Sequence, residues 1–196
     1  MRRLFRFSAQ AWLLGLFVLC ASPVLWSCNK SVDNSANDAA VKTAQEHEDK
    51  YKVIDDTIIQ GYLKRHKYTA ATYQRTASGL YLVTLTAGTG TQIVTGRQVS
   101  VKYTGKFVSA ATESKVFDTS DNAPTKSFSF RAGITNLIPG WTEGVLLMRQ
   151  GDRKLLLIPS YLAYGPSGAI NQSTNTYVIA PDTPILFDME ILTVAP

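Results

Sequence analysis

The chain has 196 residues, 45% of them hydrophobic and 18% charged, a balance that suits one globular domain with small additions and excludes wholesale disorder. Two cysteines are too few for a disulfide-stapled scaffold or a multi-cysteine metal centre, and two histidines are too few for a histidine-rich one. The formal charge is +5, but the first 27 residues hold three arginines and no acid, so the rest of the chain carries only +2. That leaves no basic footprint for nucleic acid.

Residues 1–27 read as a bacterial export signal. Arg2, Arg3 and Arg6 make a positive start, residues 11–26 are almost wholly apolar, and a polar tract begins at Asn29, the usual layout of such a signal. The alternative is a membrane anchor, for which the run is slightly short and broken by Pro23. Leu25-Trp26-Ser27-Cys28 resembles a lipobox, the motif of bacterial lipoproteins, with Leu three residues before the cysteine and a small residue just before it. The resemblance implies cleavage after Ser27, lipidation of Cys28 and tethering to the outer membrane of a Gram-negative cell envelope, on its periplasmic or surface side. Cys20 leaves with the signal, and no intramolecular disulfide remains possible.

Residues 28–40 are small and polar and read as a flexible tether. Residues 41–78 read as a helical extension. Tyr51, Ile54, Ile58 and Tyr62 recur at helical spacing over 41–66, with Ile59 and Leu63 beside them. This stripe suits either a dimerisation or client-binding helix or one that packs on its own domain. Asp55 and Asp56 offer an alternative cap for a second, shorter helix. From residue 79 the period changes to that of strands. Candidates are 79–86, 98–107, 115–118, 127–131, 153–159 and 185–194, with a short helix over 141–150 and Gly151 as its stop. Gly88-Thr89-Gly90 lacks a following helix and a Lys-Ser/Thr pair, so it reads as a turn rather than a phosphate loop. The pattern is α+β: an antiparallel sheet with one covering helix.

The usual catalytic reagents are missing. His47 and His66 both fall in the helical extension, where they read as solvated surface residues rather than members of a triad. The β region shows no acid–base pair for glycoside chemistry, no Walker loop and no HExxH. It is rich in rings: Tyr103, Phe107, Phe117, Phe128, Phe130, Trp141, Tyr161, Tyr164, Tyr177 and Phe187. A weakly charged domain so supplied can line an apolar pocket.

Tyr103-Thr104-Gly105, Phe117-Asp118, Ile138-Pro139-Gly140-Trp141 and Tyr161-Leu162-Ala163-Tyr164-Gly165 follow one another in the order and spacing of the FKBP family, and residues 185–192 close the match. Residues 79–196 thus resemble an FKBP-type peptidyl-prolyl cis-trans isomerase domain. The resemblance implies an antiparallel β half-barrel wrapped on one short helix, proline-containing client polypeptides, macrolide ligands, and no cofactor or metal. It implies Trp141 as the pocket floor, with Tyr103, Phe117, Phe128 and Phe187 as aromatic walls. Leu137 and Ile138 would form an apolar edge, the Ile138 N–H donating to a substrate carbonyl. Asp118 would be a buried carboxylate beside the twisting amide, Tyr164 a hydroxyl donor, Ile179 an apolar lip, and Phe130 mostly packing. Two segments depart from the compact pattern. Residues 166–177 are long and polar, without the aromatic or histidine often found at that rim, and the loop 108–113 is extended. The alternative within the same fold is a non-catalytic binding or chaperone module.

Overall fold

The computed structural model describes residues 35–196; the export signal, Cys28 and the first part of the tether lie outside them. Helix α1 (Ser35–Arg65) is continuous and about 46 Å long at 1.5 Å per residue. It begins earlier than the polarity of 28–40 suggests, because Ala36, Ala39 and Ala40 are strong helix formers. Asp55 and Asp56 cap nothing and sit mid-helix.

Ten further elements follow: β1 (Tyr73–Arg75), β2 (Tyr81–Thr86), β3 (Gln98–Phe107), β4 (Val116–Thr119), β5 (Phe128–Arg131), α2 (Pro139–Leu146), β6 (Arg153–Ile158), β7 (Ala169–Asn171), β8 (Thr176–Ile179) and β9 (Ile185–Ala195). Seven strands form one antiparallel sheet in the order β1-β2-β6-β9-β3-β4, with β5 pairing the first half of β3 and β4 its second half. A register shift between Ser100 and Val101 bends β3 against β9. β7 and β8 make a separate two-stranded hairpin. The stretch read as a polar loop therefore has strands of its own, too short to show a period.

The sheet is covered on both faces. On one, α2 packs with Leu82, Val99, Val101, Leu156, Ile158, Ile185, Phe187 and Met189. On the other, Ile59 and Leu63 of α1 pack on Tyr81, Val83, Leu155, Leu157 and Leu186. This explains the unbroken Leu155-Leu156-Leu157-Ile158 run of β6: alternate side chains enter opposite cores, as in strands buried on both sides. The second half of the α1 stripe, Ile58, Ile59, Tyr62 and Leu63, thus packs on its own domain. The loop 108–113 helps hold that helix, since Arg65 donates to the Val108 carbonyl (2.8 Å) and to Glu113 (2.7 Å).

Helix α2 starts two residues before the expected point because Pro139 occupies its first turn, where no N–H is needed. It ends at Leu146; Gly151, with φ +88°, belongs to the turn before β6. Gly144 presses directly on Leu156, and a Cβ there would overlap the leucine side chain. This close approach brings the helix, and Trp141 with it, down onto the sheet.

Candidate active site

Trp141 is 5% exposed and is the hub of a ring cluster. Tyr103 meets it edge to face at 5.1 Å between centroids, Phe187 at 4.8 Å, Phe130 at 5.9 Å and Phe128 at 6.1 Å. Such T-shaped pairs contribute about 0.5–1.5 kcal/mol each beyond area burial. Rings held edge to face cannot close into a flat stack, and here they leave a hollow. Tyr103, Asp118, Phe128, Leu137, Ile138, Trp141, Tyr164 and Phe187 surround a cavity of about 260 Å³.

The walls come from β3, β4, β5, β9, α2 and the two loops flanking α2 and β6. Gly105 matters to their closeness. It pairs with Phe187 on β9 and Asp118 on β4, and a Cβ there would stand 2.6 Å from the Phe117 ring and 2.9 Å from Phe187.

Polar groups mark the cavity's rim. The Tyr103 hydroxyl donates to Asp118 Oδ2 at 2.7 Å, and Asp118 Oδ1 accepts from the Thr119 N–H at 2.8 Å. Burial first, then the bond to Asp118, pushes the Tyr103 hydroxyl well above its ordinary range. Tyr164, 36% exposed, is pushed up by burial and then by the charge of Asp118. Both hydroxyls therefore stay protonated at neutral pH and keep a proton to donate. The Ile138 carbonyl accepts from the Trp141 and Thr142 N–H groups, while no backbone carbonyl of the described residues accepts from the Ile138 N–H. Trp141 Nε1 is buried without an acceptor among the described residues. The site can hold a compact apolar ring and offer donors to carbonyls around it.

Eight of the ten expected pocket residues thus meet at one cavity. Phe117 and Ile179 do not line it. Phe117 turns to Phe107 and Phe187, at 5.3 and 5.6 Å. Ile179 is 2% exposed and belongs to the core, because β8 pairs with β7 and turns this side chain inward. Asp118 is exposed, not buried, since β4 is an edge strand. Phe130 stacks on Phe128 at 5.5 Å as packing. The histidines are more engaged than expected: His47 lies 3.2 Å from Asp182, and His66 stacks on Tyr62 at 4.2 Å. Sequence reasoning offered Asp55 only as a helix cap, whereas it is fully buried and accepts from the Ser160 N–H and hydroxyl, both at 2.7 Å. The signal was its position four residues before Ile59 and eight before Leu63, on the same face of the helix.

Comparison with known proteins agrees with this geometry. Residues 89–192 match the family model described as FKBP-type peptidyl-prolyl cis-trans isomerase. FK506-binding protein 4 of Dictyostelium discoideum is 40% identical over 118 residues, which are 60% of this chain and 29% of that protein. A chloroplastic peptidyl-prolyl cis-trans isomerase of Arabidopsis thaliana is 33% identical over 130 residues, 63% of this chain and 60% of its own length. The chain thus spans less than two thirds of these curated relatives. Among solved structures, a peptidyl-prolyl cis-trans isomerase from Pseudomonas syringae superposes with a TM-score of 0.58 at 28% identity, covering 76% of this chain and 96% of that one. FkpA from Escherichia coli superposes with a TM-score of 0.56 at 29% identity, covering 83% and 70%. With its half-barrel, its short covering helix and this match over more than half its length, the chain belongs to the FKBP-type peptidyl-prolyl cis-trans isomerase family.

Proposed function

We propose that this protein is a lipid-anchored peptidyl-prolyl cis-trans isomerase of the bacterial envelope, acting on X–Pro bonds of exported polypeptides. The observation that carries the catalytic reading is the hollow ring cluster with Asp118 and Tyr164 at its rim. An X–Pro amide crosses a barrier of about 18–20 kcal/mol set by C–N resonance. Lowering it requires no proton transfer, only tighter binding of the twisted amide than of either planar form. Trp141 would support the proline ring, with Tyr103, Phe128 and Phe187 around it. Twisting reduces the carbonyl's polarity, so an apolar site disfavours the planar ground state. The Tyr164 hydroxyl and the Ile138 N–H would hold the neighbouring carbonyls still while the amide turns. A rate gain of ~10⁴ needs only about 5.5 kcal/mol.

The test is a protease-coupled isomerisation assay with the wild type, Asp118→Ala and Tyr164→Phe. We expect acceleration in the wild type and a loss of about three- to tenfold in Tyr164→Phe, the value of one hydrogen bond. No acceleration from a folded sample would favour the second reading, a binding module. The exposed Ile170, Tyr177 and Val178 of the β7–β8 hairpin support that reading. Macrolide binding is a separate expectation, checked by titrating a macrolide of the FK506 class and following Trp141 fluorescence. For the anchor, Cys28→Ser should move the protein out of the membrane fraction; unchanged fractionation would refute lipidation at that site.

A further inference from the structure

Tyr164 stands on a stretch of chain with little structure of its own. Two single turns of 3₁₀ helix flank it, Ser160–Leu162 before and Gly165–Ser167 after. Turns this short have few internal bonds to set their place. Where the Tyr164 hydroxyl stands at the cavity rim therefore depends on what grips the stretch from outside.

Helix α1 grips it at both ends. Before Tyr164, Asp55 Oδ2 accepts from the N–H and the hydroxyl of Ser160, both at 2.7 Å. The Ser160 carbonyl in turn accepts from the Ala163 N–H at 2.9 Å, so the residue that Asp55 holds is bonded directly to the one before Tyr164. After Tyr164, the Gly165 carbonyl accepts from the Asp182 N–H at 2.9 Å, and Asp182 Oδ2 lies 3.2 Å from His47 of α1. The first tie is direct and dry, since Asp55 and Ser160 are both buried, and hydrogen bonds shielded from water hold their geometry more firmly.

The tie to Ser160 is not needed to fasten the helix. Ile59, Leu63 and Arg65 already seat α1. Nor does the carboxyl suit stability alone: Asp55 Oδ1 is buried without a partner among the described residues, and an unmatched buried polar atom costs free energy. What the contact supplies is a fixed place for Ser160 and, through it, for Tyr164. The link runs along the chain that leaves β6 and so bypasses the aliphatic core between α1 and the sheet.

We propose that Asp55 is a positioning residue for isomerisation: from a helix on the far face of the sheet it sets, through Ser160, where the Tyr164 hydroxyl meets a substrate carbonyl. The proposal rests on the isomerase reading and extends the working site to a residue of the helical extension. A hydrogen-bond donor is useful only within a few tenths of an ångström of its acceptor's reach, and a misplacement of about 1 Å from a change far from the chemistry can cost up to ~100-fold in rate.

The experiment is a double-mutant cycle on the full chain in detergent solution, read as kcat/KM on short X–Pro peptides beside a urea titration of every variant. Asp55→Ala should lower kcat/KM about three- to tenfold, as Tyr164→Phe does, because each forfeits the same hydrogen bond to substrate. In the Tyr164→Phe background it should cause no further loss. Asp55→Asn offers Ser160 an oxygen in place of Oδ2 and should keep the wild-type kcat/KM. Leu63→Ala, on the same helix and fully buried, should lower the urea midpoint and leave kcat/KM unchanged, which separates position from stability. If Asp55→Ala does not fold, Ser160→Ala carries the cycle: it gives up the hydroxyl bond, keeps the N–H one, and should lose about two- to threefold. The proposal is overturned if the folded variant turns over like the wild type, if its loss persists undiminished in the Tyr164→Phe background, if Asp55→Asn is as impaired as Asp55→Ala, or if Leu63→Ala loses as much. Failure of the isomerase reading would show in the folded wild type alone, as no acceleration of any peptide, so the two failures are told apart.

Discussion

Helix α2 covers one face of the sheet with eight residues, two of them glycines pressed on β6, whereas α1 spans thirty-one residues and, of its described apolar side chains, fully buries only Ile59 and Leu63 against the other face. On the α2 side the contacts are rings meeting edge to face, and a cavity remains. Around Ile59 and Leu63, in the second half of α1, the contacts are mostly aliphatic and the core closes. The same strands serve both, so function and stability separate across the thickness of one sheet. Shape matters on the first face, and filled volume on the second.

The sharpest way to break the comparison uses two neighbours on β6. Leu156 and Leu157 are both fully buried, one toward α2 and one toward α1. Leu156→Ala and Leu157→Ala should each cost about 2–5 kcal/mol of stability, by lost transfer energy and a residual cavity. Only Leu156→Ala should also lower kcat/KM, because it loosens the seat of Trp141. Equal loss of activity in both variants, measured beside denaturant titrations, would show that the faces do not divide the work.

Gly144→Ala comes next. Its new methyl overlaps the Leu156 side chain, and overpacking of this kind costs about 1–3 kcal/mol. The lift it gives α2 should reduce peptide affinity at constant fold, seen as a lowered Tm with a raised KM. Tyr103→Phe should cost less, about 0.5–1.5 kcal/mol for one hydrogen bond at a solvent-accessible rim. It keeps the ring in place and frees Asp118, so activity should fall more than stability.

The smallest effect at any single pH lies on the α1 side, at Asp55. Burial, partly offset by the Ser160 hydrogen bonds, raises its carboxyl above the ordinary range. The folded state therefore binds the proton more tightly than the unfolded one. Stability from protonated Asp55 is fully present below about pH 4 and is lost as pH rises through the raised folded value. Asp55→Asn can keep an acceptor for Ser160 and should flatten that slope. Urea midpoints over the acidic range check it: an unchanged slope in the variant would show that Asp55 does not titrate there.

The strands were largely legible. Residues 98–107 alternate cleanly, and β3 occupies that span, because a half-covered strand imposes period two. β1 and the β7–β8 hairpin were not legible: strands of three or four residues carry too few alternations to read. The short helix came out displaced because the eye follows apolar residues, whereas Pro139 sets the start, and the N–H groups of Leu147 and Met148 bond back three residues to end the last turn. Residue chemistry pointed to an aromatic pocket, and family resemblance named its members, but periodicity could not rank them. Phe128 and Phe130 share a face, yet only Phe128 reaches the cavity, since position along the strand decides which ring stands at the mouth. Asp55 was hidden for another reason. A carboxylate on a buried helix face looks like an error of register until the partner, Ser160, is brought in from far along the chain.

β9 lies between β6 and β3, and its pairing with β3 runs from Gln98–Ala195 to Phe107–Ile185. The centre of the sheet is thus made by segments far apart in sequence. A ribosome delivers residues from the N-terminus onward, so the edges exist before the middle. Until residues 185–195 have been made, β6 and β3 have no strand between them, and neither core can close. Contacts of such sequence separation also make folding slow relative to local structure. The chain is therefore committed to folding late, after synthesis of this domain rather than during it, and its partly made forms expose open strand edges that must be kept apart meanwhile.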